Sequence, residues 1–150
     1  MKNLNLTPSL HINHLYYYGD ALKADLIGKE RAEKIVPLGS LEERAIKYSI
    51  HADQPMFESN PFRLIQTAVE RKTRSGAILG DSQNITVLEA IKSLTIHAAW
   101  QIHMEDKIGS LEKGKYADFI VVDKNPFTIP TSKLNTIKCL QTYINGNLTK

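Results

Sequence analysis

The chain has 150 residues, a net charge of +3 and a hydrophobic fraction of 42%. That length supports one domain, or one domain with a small appendage, and the apolar content excludes a disordered chain. The densest basic run, Glu70 to Arg74 (ERKTR), is short and reads as a solvated helix end, which argues against a nucleic-acid footprint.

The N-terminal stretch lacks the apolar centre of a secretory signal, and no apolar run approaches a membrane span. A single cysteine, Cys139, excludes an internal disulfide and fits a reducing compartment. The expected location is the cytoplasm, with neither nucleic acid nor a membrane as partner.

Residues 4–14 alternate apolar and polar, which predicts a strand with Pro8 as a bend or edge. YYYGD reads as a turn at Gly19. ALKADLIGKERAEKI is helical in composition but interrupted at Gly28, and Ser40 to Glu43 has the form of a capping box. AIKYSIHAD, residues 45–53, predicts the second strand. Asn60-Pro61 reads as an N-cap followed by proline at the first helical position, opening an amphipathic helix over 61–72. After a loop, the Thr86-x-x-Glu89 box opens the longest helix. Its expected buried stripe is Val87, Ile91, Leu94, Ala98 and Ile102, and its end lies near Met104. Beyond it the texture becomes β-rich, with turn glycines, the strand DFIVVD, a last strand within LNTIKCLQTYINGNLTK and an Asn145-Gly146 turn. Strands alternating with helices predict parallel βα units. Two such units cannot close a barrel, which needs roughly 250 residues.

Several residues invite chemistry, and each has a plainer explanation. His51 and Asp53, two apart on the predicted strand, would share a side at its C-terminal end, where α/β folds place their sites. A carboxylate there suits metal binding and proton transfer. On pattern alone, a His-x-Asp at a strand end is more often an ordinary loop boundary. His11 and His14, three apart, would fall on opposite faces of a strand and form no metal pair. His97 and His103 would stand roughly 240° apart on one helix and read as packing or surface residues. Tyr16, Tyr17 and Tyr18 suit a pocket mouth or, more commonly, core filling. Cys139 has no partner in the pattern. The chain contains no His-x-His, Cys-x-x-Cys, His-Glu-x-x-His, phosphate-cradling loop or nucleophile elbow.

The tail narrows the class. NITVLEAIKSLTIHAAWQI followed by GSLEKGKYADFIVVDKNPF resembles the C-terminal signature of the metal-dependent amidohydrolase superfamily. HINHLYYYGD and HADQPMFESNPFRLIQTAVERKTRSG resemble the amidohydrolase-3 branch, which includes enzymes like N-substituted formamide deformylase. The sequence departs from that pattern at Tyr18, where tryptophan is expected, and at Gln54, where a small residue is expected.

The resemblance implies an α/β fold made of the last two βα units of a (β/α)8 TIM barrel, residues 1–107, and part of the small flanking β-sandwich, residues 108–150. The first strand would be the seventh of the barrel and YSIHAD the eighth. It implies that Asp53 is the eighth-strand aspartate, both metal ligand and general base, and that His14 and His51 contact substrate or support the site from behind. In the complete enzyme a divalent metal of zinc type would activate water against a small amide-type substrate, cleaving a non-peptide C–N bond. The other ligands belong to earlier strands, so the chain alone is expected to bind no metal tightly and to be inactive. It then acts as a C-terminal fragment completed by an N-terminal half, or self-associates. The alternative is a non-catalytic truncated module serving as a structural or interaction piece.

Overall fold

Two short strands organise the first two-thirds of the molecule. The computed structural model describes residues 1–4 and 6–149. Strand β1 (Ser9–His11) and strand β2 (Ser49–His51) pair in parallel, with Ser9 opposite Ser49, Leu10 opposite Ile50 and His11 opposite His51. Their starts are tied to one glutamine. Gln101 donates to Thr7 Oγ1 at 3.1 Å and to the Pro8 carbonyl at 2.9 Å, and its Oε1 accepts from the Ser49 hydroxyl at 2.6 Å.

The predicted strand over 4–14 is therefore much shorter, and its Asn5 lies outside the described residues. Ile12 already has helical dihedrals and opens α1 (Asn13–Ala21), so YYYGD is helix, not turn. The reason is visible in the burial: Ile12, Leu15 and Gly19 face inward at helical spacing. A π-helical turn (Leu22–Leu26) follows, then α2 (Lys29–Ala32), with the chain interrupted at Gly28 as expected. Helix α3 (Leu38–Glu43) begins before Ser40, so the predicted capping box does not form. The Ser40 N–H instead donates to Gln83 Oε1 at 2.9 Å.

Helix α4 (Pro61–Glu70) starts as its sequence dictates, with Asn60 Oδ1 accepting from the N–H groups of Phe62 and Arg63, both at 3.1 Å. The Thr86 cap also forms, accepting from the Glu89 N–H at 3.2 Å. The Glu89 carboxylate turns away to Lys92 at 2.8 Å, so the box is half complete. The expected long helix is two helices, α5 (Val87–Leu94) and α6 (Ile96–Gln101), broken at Thr95. The Thr95 hydroxyl donates to the Ile91 carbonyl at 2.8 Å, a bond that competes with continuation of the helix. The following chain packs into that break. A Cβ on Gly109 would lie 2.8 Å from Ala99 Cβ and 3.1 Å from the Thr95 carbonyl oxygen. Of the expected stripe, Val87, Ile91 and Leu94 pack half-buried against the core, with Ala90, Ser93 and Ala99 buried beside them, whereas Ile102 is 63% exposed.

The tail is β-rich, as the sequence indicates. Strands β3 (Phe119–Val122), β4 (Cys139–Ile144) and β5 (Asn147–Leu148) form an antiparallel sheet in that order. Asn145 and Gly146 both have positive φ, 48° and 76°, and join β4 to β5 in a two-residue hairpin. Residues 131–136 form a 3-10 turn, so the last long strand begins only at Cys139. Leu134 and Ile137 enter the main core beside Ile12, Tyr48, Ile50, Phe62 and Ile65. No described helix is long and apolar enough to cross a membrane.

Arg71 locks this arrangement. It caps α4 in the left-handed conformation and is fully buried. Its Nε donates to the Leu79 carbonyl at 3.0 Å, Nη1 to Val36 at 2.8 Å and Nη2 to Ile35 at 2.9 Å. The ERKTR run is thus not uniformly solvated, because its second residue is the largest fully buried side chain. Burial pulls the guanidinium down to about 10, which still leaves it charged at neutral pH. Gly80 makes room for it: a Cβ there would lie 2.9 Å from Nη2 and 2.1 Å from the Glu33 carbonyl oxygen.

Arg71→Ala would leave the Leu79 and Ile35 carbonyls without their donor, each costing about 1–3 kcal/mol, while the Val36 carbonyl keeps the Leu38 N–H at 2.9 Å. Urea unfolding should show a loss of about 3 kcal/mol or more, and Arg71→Lys, which lacks the planar fork, should recover only part of it. His97 supplies a pH-dependent term. It sits edge-on to Tyr48 at 6.1 Å, and burial lowers its imidazole below the ordinary 6.5. The folded state therefore disfavours its charged form. Stability should be unaffected above 6.5 and should fall as pH drops below it, and His97→Leu should flatten part of that acid-side loss in thermal melts.

Candidate functional site

The parallel register brings the histidines together. His11 ends β1, His51 ends β2, and their rings stack at 5.2 Å with an interplanar angle of 19°. Because α1 starts at Asn13, His14 stands in its first turn instead of on the far face of a strand. Its ring lies 4.1 Å from that of His11, tilted by 51°. The expectation that these two residues diverge is overturned by the early helix start. The Asn13 amide, fully buried, donates to the Ala52 carbonyl at 3.3 Å and ties α1 to the end of β2.

Asp53 follows two residues after His51, but the strand has already ended. Its φ of 59° places it in the left-handed region, which aspartate tolerates better than most residues. The expected strand alternation thus does not extend to Asp53, which is exposed. Its charge nevertheless acts on His11. Burial and the neighbouring His14 and His51 hold the His11 imidazole below its ordinary value, while Asp53 and the Ala52 backbone oppose them. The His11 Nε2 is buried and has no described partner.

An aromatic group closes one side. Phe57 stacks on Tyr17 at 4.6 Å and 17°, tilts against His11 at 5.2 Å and meets Tyr18 edge-on at 5.8 Å. Tyr16 instead lies under the Arg63 guanidinium, 4.8 Å from ring centre to Cζ. His97 and His103 stay outside this group, the first half-buried against Tyr48 and the second exposed with φ 57°. Cys139 is a half-buried free thiol on β4.

The residues missed by pattern reading are His11 and Phe57. The signal for His11 was the helical spacing of Ile12, Leu15, Gly19 and Leu22, which ends the strand at His11 and turns His14 back toward it. Phe57 sits in a loop whose sequence carries no periodicity.

Among the described residues, no group of three or more His, Cys, Asp or Glu is arranged to hold a metal ion. The three imidazoles lie ring against ring, a packing arrangement, whereas a catalytic zinc usually takes three protein ligands aimed at one point. On its own the set does not fit a metal centre.

Comparison with known proteins gives the family. The amidohydrolase family model matches residues 1–149. The N-substituted formamide deformylase of Arthrobacter pascens is 32% identical over 115 residues, 77% of this chain and 21% of its own length. The LONG AFTER FAR-RED 3 protein of Arabidopsis thaliana is 31% identical over 145 residues, 95% of this chain and 24% of its own. Among solved structures, a metal-dependent hydrolase from Pyrococcus horikoshii superposes with a TM-score of 0.73 at 24% identity, covering 87% of this chain and 27% of the other. The chain therefore spans about a quarter or less of the length of these curated relatives, and its mixed α/β architecture is that of the corresponding part of the Pyrococcus horikoshii hydrolase. With nearly every residue inside the family pattern, the chain belongs to the amidohydrolase family.

Proposed function

We propose that this chain is a C-terminal portion of an amidohydrolase that cleaves a non-peptide C–N bond of a small amide, and that it supplies part of the active site. In this reading β1 and β2 are the seventh and eighth strands of a (β/α)8 barrel, residues 1–107 form its closing units, and residues 108–150 form part of the flanking β-sandwich. Lys150, at the end of that segment, lies outside the described residues. The observation that carries the reading is the parallel pairing of β1 and β2. It gathers His11, His14, His51 and Asp53 at the C-terminal ends of two strands, in a chain matched by the family over residues 1–149. That end is where barrel enzymes keep their chemistry.

Asp53 then contributes a carboxylate to a divalent metal centre of zinc type whose remaining ligands come from polypeptide outside this chain. Its second role is to accept a proton from the attacking water and return it to the leaving amine. His14 and His51 contact the substrate or support the site from behind. Since the described residues make no metal centre alone, the isolated chain is read as carrying no hydrolysis. The relatives' N-substituted formamide deformylase suggests N-substituted formamides as first substrates to try.

The surface supports incompleteness. The β1–β2 sheet has only two strands among the described residues, and parallel sheets are ordinarily long and covered on both faces. On the tail sheet, Ile120, Leu140, Ile144 and Leu148 are each about half exposed. Such edges and apolar faces drive association.

Two outcomes are expected. Light scattering of the purified chain at tens of micromolar, roughly where aggregation-prone species associate, should show oligomers, and a monodisperse monomer would count against the incomplete-barrel reading. In the second experiment, the chain is co-expressed with the amino-terminal portion of a relative and assayed for bound metal and formamide hydrolysis. Metal and turnover should appear together, and Asp53→Asn should lower turnover by about 10²-fold or more. Neither metal nor turnover in the assembled protein would favour the non-catalytic module.

A further inference from the structure

The loop from Ala52 to Asn60 carries Asp53 from β2 to α4 without regular secondary structure. Its far end is fixed by the Asn60 cap on α4. Its near end leaves β2 at Ala52, whose carbonyl is held by buried Asn13. Between them the described backbone bonds are both local: the Met56 N–H donates to the Asp53 carbonyl at 2.8 Å in a tight turn, and the Asn60 N–H donates to the Glu58 carbonyl at 3.0 Å. A turn fixes its own shape but not its place against the rest of the molecule.

Phe57, the next residue, provides that placement. Its ring lies flat on Tyr17 at 4.6 Å, tilts against His11 at 5.2 Å and meets Tyr18 at 5.8 Å. Stacked and edge-on pairs at these distances are the favoured aromatic geometries. The two tyrosines belong to α1 and His11 to β1, so one side chain ties the loop to both. Neighbouring loop residues Gln54, Pro55, Met56 and Glu58 are exposed. Met56, the other large apolar side chain of the segment, is 62% exposed and anchors nothing.

We propose that Phe57 is a positioning residue, an aromatic anchor that holds the Asp53 turn over the His11–His14–His51 group. This rests on the reading of Asp53 as the site's proton-transferring carboxylate. A flat ring is required, not bulk alone, because the contact on Tyr17 is face to face. Leucine would fill part of the volume but could not stack.

The test is hydrogen exchange read by mass spectrometry on the full chain, which needs no hydrolysis and so stands apart from the catalytic reading. Phe57→Leu should speed exchange in peptides covering 53–58 at least tenfold, leaving those from 61–70 and 118–123 unchanged. Phe57→Tyr, which keeps the ring, should retain wild-type protection. Unchanged exchange in Phe57→Leu would overturn the proposal, as would an equal rise in all three segments or a Phe57→Tyr variant as loose as Phe57→Leu. In an assembly that hydrolyses formamide, Phe57→Leu should lower kcat at least tenfold with KM within twofold, and Phe57→Tyr should restore it. An unaltered kcat would overturn the positioning role. Full turnover in Asp53→Asn beside a loosened Phe57→Leu loop would overturn the reading of Asp53 while leaving the anchor in place.

Discussion

A single buried guanidinium decides how the helical part of this protein is assembled. Arg71 spans two apolar clusters, one built on Ile12, Tyr48, Ile50 and Phe62 and the other on Leu15, Ala32 and Leu79. Neither the Ile35–Val36 segment nor the Leu79 loop has regular structure to satisfy its backbone. A carbonyl taken from water without a donor is costly, and Arg71 reaches all three, as the sole described donor to Leu79 and Ile35 and beside the Leu38 N–H at Val36. The charge has no described carboxylate beside it. Its balance comes from peptide dipoles, and from the reciprocal bond in which the Leu79 N–H donates to the Arg71 carbonyl at 2.9 Å.

With that loop fixed, the remaining elements have little freedom. Helix α4 is held at its start by Asn60 and at its end by Arg71, and it lies against α5 and the 131–136 turn. The strands lie on the inner side of this layer, and Gln101 pins both at their starts. Their other ends carry the chemistry. The site is thus assembled from the far ends of elements whose near ends are fastened, an arrangement that leaves reactive side chains accessible while their backbones are held.

How far this could be read from the sequence depends on how local each cause was. The Asn60-Pro61 start, the Thr86 cap, the Gly28 interruption and the Asn145-Gly146 hairpin were legible because each rests on a few adjacent residues. The ends of β1 and the break at Thr95 were not. In both, a tertiary contact outweighed a plausible local pattern: inward packing of Leu15 in one case, the approach of Gly109 in the other. The burial of Arg71 was invisible for the same reason, since its three acceptors lie between 8 and 36 residues away. For the site, the resemblance singled out Asp53, His14 and His51. The role of His11 depended on where a helix begins, and that of Phe57 on a stacking partner 40 positions earlier in the chain, Tyr17.

The parallel pairing of β1 with β2 also has an entropic side. Ser9 and Ser49 are 40 residues apart, and the ladder between the strands is only three residues long. Closing a flexible loop of that size costs roughly 3 kcal/mol from the length-dependent term alone. Three paired residues return little of that, whereas the β4–β5 hairpin closes across two. The histidine group therefore sits on the contact with the poorest ratio of hydrogen bonds gained to chain order lost. Its persistence depends on α5 and α6, which pack against β2, so the geometry of the site is a property of the helices behind the strands and not of the strands alone.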